Sequence, residues 1–197
     1  MGRKYKLLTD DTIKVGELTL YRIEALRDFA DVKKGDKGGY VEKEDNLSHE
    51  WQCWVYHEAR VFGEAKVFGE ARVYGDAMVY GDAKVSGDAK VSGRAKVFGK
   101  AKIYYNAEVY GNAEVHGDAE VHGDAVVKSD KDYIVFKNWW GSGRYFTWTR
   151  SNNMWSVGCF YGTGNELIKK AYRDGERSGR EYERIVRYVG EILKAEE

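Results

Sequence analysis

The sequence contains no proline and only two cysteines, Cys53 and Cys159, among 197 residues. Two cysteines in a chain of this length cannot build a disulfide framework, which points to a reducing cytosol. Long apolar runs are missing too. The opening stretch "MGRKYKLLTDDTIKV" has neither the hydrophobic core of a signal peptide nor the length of a membrane span, so a cytoplasmic protein without a membrane partner is expected. Gly2 invites N-myristoylation, but Lys6 stands where that motif needs Ser or Thr. Net charge is absent as well, because 32 basic residues balance 32 acidic ones. Nothing global therefore attracts duplex DNA or an anionic membrane.

Against these absences stand 23 glycines, 15 tyrosines and 6 tryptophans. Rich in glycine and aromatics but lacking proline, the composition is not that of disorder; it fits many tight, regular turns.

The stretch "VYGDAMVYGDAKVSGDAKVSG", Val73 to Gly93, repeats one six-residue word. Aligned on alanine, the word A-x-V-x-G-x runs from Ala59 to about Lys128, with alanine at twelve successive places from Ala59 to Ala125. Ile103 replaces one valine and Tyr105 one glycine, and Cys53 and Val55 continue the frame upstream. Alternation within each word makes a short strand with Ala and Val pointing inward. The Gly-Asp or Gly-Glu that follows makes a corner. A strand and a corner every six residues, with small apolar residues inside, describe a β-solenoid.

These words resemble those of the hexapeptide-repeat proteins, whose left-handed parallel β-helices use three words per triangular turn. The resemblance implies a mainly β chain of four coils, roughly 20 Å long at the strand spacing of a sheet. Upstream, "KYKLLTDD" and "ELTLYRIEALRDF" read as strands joined by a turn, forming a β cap over residues 1–51. The stretch "RIEALRDFADVKKGDKGGYVEKEDNLSHEWQCWVY" resembles the N-terminal cap of such proteins in phages and prophages. The repeat itself is assigned to residues 52–128.

Over residues 129–197 the period gives way to a small α+β domain. "DYIVFKN", "RYFTWTR" and "MWSVGCF" read as three strands. Two helices follow, opening at Thr163 with Glu166 and at Ser178 with Glu181, both capping-box patterns. Tyr182, Ile185, Val186, Val189, Ile192 and Leu193 form one apolar stripe on the second. The run "GSGRYFTWTR…VGCFYGTGNEL" resembles C-terminal domains of phage-type β-helix proteins.

Many hexapeptide-repeat proteins are acyltransferases that carry a histidine on a loop escaping the coil. No word from Ala59 to Ala125 is lengthened, so no catalytic residue is assigned. His116 and His122 fall on different faces, and a third histidine for an interface metal site would be His49 or His57, far below. Neither a metal nor a cofactor is expected.

The outer places carry charge and rings. Basic residues precede valine early and acidic ones late, with the reverse order after glycine, a pattern for pairing across strands. Between Lys84 and Lys102 six basic residues meet only Asp88, a band suited to an anion. The columns Phe62–Tyr80–Phe98 and Tyr56–Tyr74–Tyr110 suit packing between subunits, and the resemblance implies a homo-oligomer, a trimer first.

The densest candidate site is "NWWGSGRYFTW". Trp139, Trp140 and Trp148 offer rings for stacking on a base. Gly141, Ser142 and Gly143 can turn backbone N–H groups into a phosphate nest, and Arg144 adds a bidentate clamp. Tyr105, standing where other words have glycine, marks a corner that should bend differently and joins the candidate ligand-binding residues. The expected function is capture, without catalysis, of a small anionic, nucleotide-like ligand. The phage resemblance implies a sponge for nucleotide signals of bacterial immunity, acting in the host cytosol. The rival expectation is a rigid trimeric scaffold for assembly or for inhibition of a host protein.

Overall fold

The computed structural model describes residues 2–195. Its centre is a parallel β-solenoid of about five turns. Two-residue strands stack on three faces. On one, Lys37–Val41, Arg60–Val61, Met78–Val79, Lys96–Val97 and Glu114–Val115 follow in order. The second face runs from Trp54–Val55 to Val126–Val127, and the third from a bridge at Leu47 through Lys66–Val67 to Glu120–Val121. Lys96 pairs with both Met78 and Glu114, so one turn is three words, or 18 residues.

The six-residue word produces this geometry locally. Every alanine of the word and every valine at its inward place, with Ile103, is fully buried in a single narrow core. Their small side chains fit because three faces converge on the axis. Corner glycines hold φ between 65° and 72°, where a side chain is disfavoured. A Cβ added at Gly81 would also lie 3.0 Å from the backbone nitrogen of Gly99 in the next turn. Tyr105 does not bend its corner differently: its φ of 59° repeats the glycine turn, and the ring simply projects outward.

The solenoid begins earlier than residue 52. Lys37–Val41 carries no Ala-x-Val word, yet it pairs in parallel with Arg60–Val61 and forms the first rung of its face. It also pairs antiparallel with Leu18–Ala25, which makes a hairpin with Tyr5–Val15 around Gly16. The N-terminal cap and the first coil are thus one continuous sheet, and the boundary drawn from the repeat cuts through a turn.

At the far end the C-terminal domain sits on its own coil. The backbone N–H of Glu114 donates to Asp130 Oδ1 at 2.8 Å, and the Tyr133 hydroxyl donates to the Glu114 carbonyl at 2.8 Å. The N–H of Val126 donates to Ser151 Oγ at 2.7 Å. Side chains thereby occupy edge groups that would otherwise recruit another strand. At the near end Lys4 Nζ and the Tyr5 hydroxyl serve the carbonyls of Cys53 and Leu47 at 2.7 and 2.8 Å.

The C-terminal sheet has four antiparallel strands rather than three: Tyr133–Lys137, Tyr145–Thr149, Met154–Val157 and Phe160–Thr163. Gly158, at φ 59°, breaks "MWSVGCF" with a tight turn and starts the extra strand. Helix α1, Gly164–Asp174, is capped by Thr163 and Glu166 as the pattern predicts. Helix α2, Glu176–Ala195, begins directly after Gly175, so Ser178 lies inside its first turn instead of capping it. Tyr182 and Val189 of its stripe are buried, and Ile185, Val186 and Leu193 pack beside them. No helix among the described residues is long and apolar enough to cross a membrane.

The outer charges pair along the stack. Lys90, Lys96 and Lys102 meet Glu108, Glu114 and Glu120 one turn later at 2.8, 2.6 and 2.6 Å. Half of the six-residue basic band is therefore neutralised by glutamates rather than facing Asp88 alone.

Candidate functional site

Strands Tyr133–Lys137 and Tyr145–Thr149 are joined by a loop that folds back on itself. Asn138 N–H donates to the Arg144 carbonyl, and Gly143 N–H to the Asn138 carbonyl, each at 2.8 Å. Gly143 takes φ 69° to permit this closure. The Arg144 N–H donates to Ser142 Oγ at 3.4 Å. Of the three successive N–H groups proposed as a phosphate nest, that of Gly143 is thus engaged within the loop.

This loop forms one wall of a cleft of about 580 Å³ against the junction of α1 and α2. Of the residues singled out in the sequence, Trp140, Gly141, Ser142 and Arg144 line it together. The others lie elsewhere. Trp139 is 71% exposed beyond the lining, its ring edge-on to Trp140 at 6.0 Å. Trp148 is buried in the sheet, where its Nε1 donates to Asn153 Oδ1 at 2.9 Å. Gly143 faces open space at the loop tip. Tyr105 stands on the solenoid, its ring 4.5 Å from that of His122, which in turn stacks on Tyr161 at 4.0 Å.

Two polar groups in the cleft wall lack partners. Asn138 is 6% exposed; its Nδ2 donates to the Tyr182 hydroxyl at 3.2 Å, while Oδ1 accepts from nothing in the described residues. Trp140 is 9% exposed, held edge-to-face by Tyr182 at 5.2 Å, and its Nε1 is likewise unpartnered. A buried donor or acceptor left unpaired costs about 1–3 kcal/mol. Both residues line the same cavity, but these two atoms are shielded from its solvent, so a ligand reaches them only where the wall yields.

Charge in the cleft is unbalanced. Arg144, Lys170 and Arg177 all line it and form no ion pair among the described residues. Glu176 is engaged with Arg180 at 3.0 Å, which leaves Asp174 as the facing carboxylate. Burial pushes the Tyr182 phenol above its ordinary value, so it stays a neutral hydroxyl beside Asn138. The first turn of α2 adds the positive end of a helix dipole.

Sequence reasoning missed Asn138, Lys170, Arg177 and Tyr182. Asn138 directly precedes the quoted tryptophans, and Gly175 marks the helix corner that brings Lys170 and Arg177 together. Neither signal identifies a shared cavity without the tertiary fold. Compared with known proteins, the chain matches no protein-family model, and no curated protein is significantly similar to it.

Proposed function

We propose that this chain is a non-catalytic binding protein that captures a small phosphorylated, nucleotide-like ligand in the cleft between the Asn138–Arg144 loop and the α1–α2 junction. One observation carries the reading: among the described residues Asn138 Oδ1 and Trp140 Nε1 are buried without partners, in the wall of a cavity bearing three cations that form no ion pair there. A nucleobase edge offers the complementary donor and acceptor. A phosphate suits Arg144, Lys170 and Arg177 at the head of α2. The volume of 580 Å³ falls within the range of small-molecule sites, about 300–1,000 Å³.

Capture rather than turnover is favoured because no histidine lines the cleft to act as a base for Cys159. In this reading the solenoid is the left-handed, phage-type scaffold of the hexapeptide-repeat resemblance, and the protein acts as a sponge for nucleotide signals. Native mass spectrometry with a panel of linear and cyclic nucleotides tests it. The expected result is ligand retained in whole-number ratio to subunits, returned unchanged on denaturation, and lost with Arg144→Gln. Retention by that variant equal to the parent, or an empty protein across the panel, counts against it.

The rival scaffold reading draws on a different feature. Phe62, Tyr80, Phe98 and His116 stack in one column at 5.0, 4.9 and 5.1 Å between centroids. Such a ladder on the outer face suits packing between subunits of a homo-oligomer. The same spectra report the subunit count, and a monomer at micromolar concentration would remove this reading.

A further inference from the structure

Of the two cysteines, Cys53 is buried and Cys159 is exposed. Cys159 lies in the tight turn after Gly158, between the third and fourth strands of the C-terminal sheet. A Cβ placed on Gly158 would stand 3.2 Å from Arg144 Nη1, so the guanidinium rests against the residue next to the thiol. Cys159 also lines the cleft that holds Lys170 and Arg177. Asn138 Oδ1 and Trp140 Nε1 have no partner among the described residues and belong to side chains in that wall that are nine-tenths buried, which marks the cavity as built for an occupant. An exposed thiol thus sits at the rim of a cationic pocket.

We infer that Cys159 is a modification site for small disulfides that carry carboxylates, which the cleft's three cations gather before thiol–disulfide exchange. The Cys159 thiol first loses its proton to solvent. Its thiolate attacks the nearer sulfur of the disulfide, and a bond forms between Sγ and that sulfur. The original S–S bond breaks, and its electron pair leaves on the departing thiolate. One disulfide is consumed and one is made, so no further oxidant enters. The adduct extends its carboxylate over Arg144, so adduct and anionic ligand exclude one another. That last consequence rests on the proposed function, whereas the exchange itself does not.

The test compares two probes on the full chain: dithiobis(nitrobenzoate), with two carboxylates, and dithiodipyridine, with none. The rate ratio of charged to neutral probe is measured for the folded protein and for the protein unfolded in urea. Steering into a charged cleft predicts a folded ratio about tenfold above the unfolded one. It should collapse in Arg144→Gln/Arg177→Gln, and high salt on the parent protein should reproduce the collapse without any substitution. Equal ratios in the folded and unfolded states overturn the inference, as does peptide mapping that finds the adduct on Cys53. Repeating the reaction with a saturating nucleotide separates the two claims. Protection of Cys159 supports both; an unchanged rate with the charge preference intact upholds the thiol site and counts against the nucleotide.

Discussion

The Thr147 hydroxyl accepts the backbone N–H of Glu120 at 2.8 Å, joining the C-terminal sheet to the last turn of the solenoid. The Glu120 side chain strengthens the same seam by receiving the Ser156 hydroxyl at 3.3 Å, and within the solenoid it receives Lys102 Nζ at 2.6 Å. Thr147 and Ser156 are both buried, so their two bonds are partly shielded from water, whereas the Lys102 pair is exposed.

Thr147→Val keeps the shape of the side chain and deletes the acceptor. The Glu120 N–H is then left unpaired, and stability should fall by about 1–3 kcal/mol. A urea midpoint lowered without a change of slope would register it. Light scattering should show more end-to-end association, because an uncovered strand edge recruits others. An unchanged midpoint would show that water replaces the hydroxyl at no loss.

Gly99 and Gly117 occupy equivalent corners at φ 67° and 66°, so alanine suffers the same backbone strain at either. Their surroundings differ. A Cβ at Gly99 would meet the backbone nitrogen of Gly117 at 3.0 Å, while at Gly117 it would meet nothing within 4 Å. Gly117→Ala should cost about 1–2 kcal/mol from strain alone, and Gly99→Ala distinctly more. Thermal denaturation of both variants checks the order; equal losses would mean the turns slide apart freely.

Burial lowers the pKa of His122, which is packed between Tyr105 and Tyr161, below its ordinary value of 6.5. Glu120 pulls in the other direction and does not prevail. The unfolded chain then takes up the proton first, so the stability held above the unfolded pKa drains away as pH falls through 6.5 towards the folded value. His122→Phe preserves a ring and removes this loss. Its stability should decline less than the parent's between about pH 7 and pH 5, the window set by an ordinary histidine. His49, also lowered by burial, retains its own share in both proteins. Parallel stability curves would exclude His122 as a source of acid sensitivity.

Trp140→Phe distinguishes a binding group from a packing group. It removes an unpaired buried N–H while keeping an aromatic ring against Tyr182 and Phe146. Without ligand the variant should lose less stability than a usual Trp→Phe truncation, because the desolvated donor goes too. Nucleotide affinity should drop about tenfold or more, the equivalent of one lost hydrogen bond to a desolvated group. A variant that binds like the parent would remove Trp140 from the site.

The repeat was readable because one rule governs each word. Ala and Val point inward wherever three faces meet, and Gly81 or Gly99 turns wherever a left-handed corner is required. Thr163 with Glu166 was readable for a similar reason, since a cap is a local bargain between neighbours. Lys37–Val41 escaped notice because its place in the stack comes from pairing with Arg60–Val61 and not from a motif. Gly39 there tolerates no Cβ, which would stand 2.4 Å from the Ala59 carbonyl, but a glycine alone does not say what it approaches. The tryptophans were misleading in another way. Residue type could not tell the buried Trp148 from the exposed Trp139, because one lies on a covered strand and the other on a loop. Ser178 with Glu181 copied a cap inside a helix that Gly175 had already allowed to start.

Because Lys96 finds its partners one full turn away on either side, the solenoid is a screw with three positions per revolution. Both ends are shaped for particular faces of that screw: the hairpin for the rung at Lys37–Val41, and Asp130, Thr147 and Ser151 for the three final rungs. Deleting three consecutive words would shorten the rod yet leave the two ends facing as before. Deleting one word would rotate the cleft by a third of a revolution around the axis relative to the N-terminal hairpin. Length and orientation are thus set independently in this chain: the number of whole turns determines how far the cleft stands from the hairpin, and the remainder determines which way it looks.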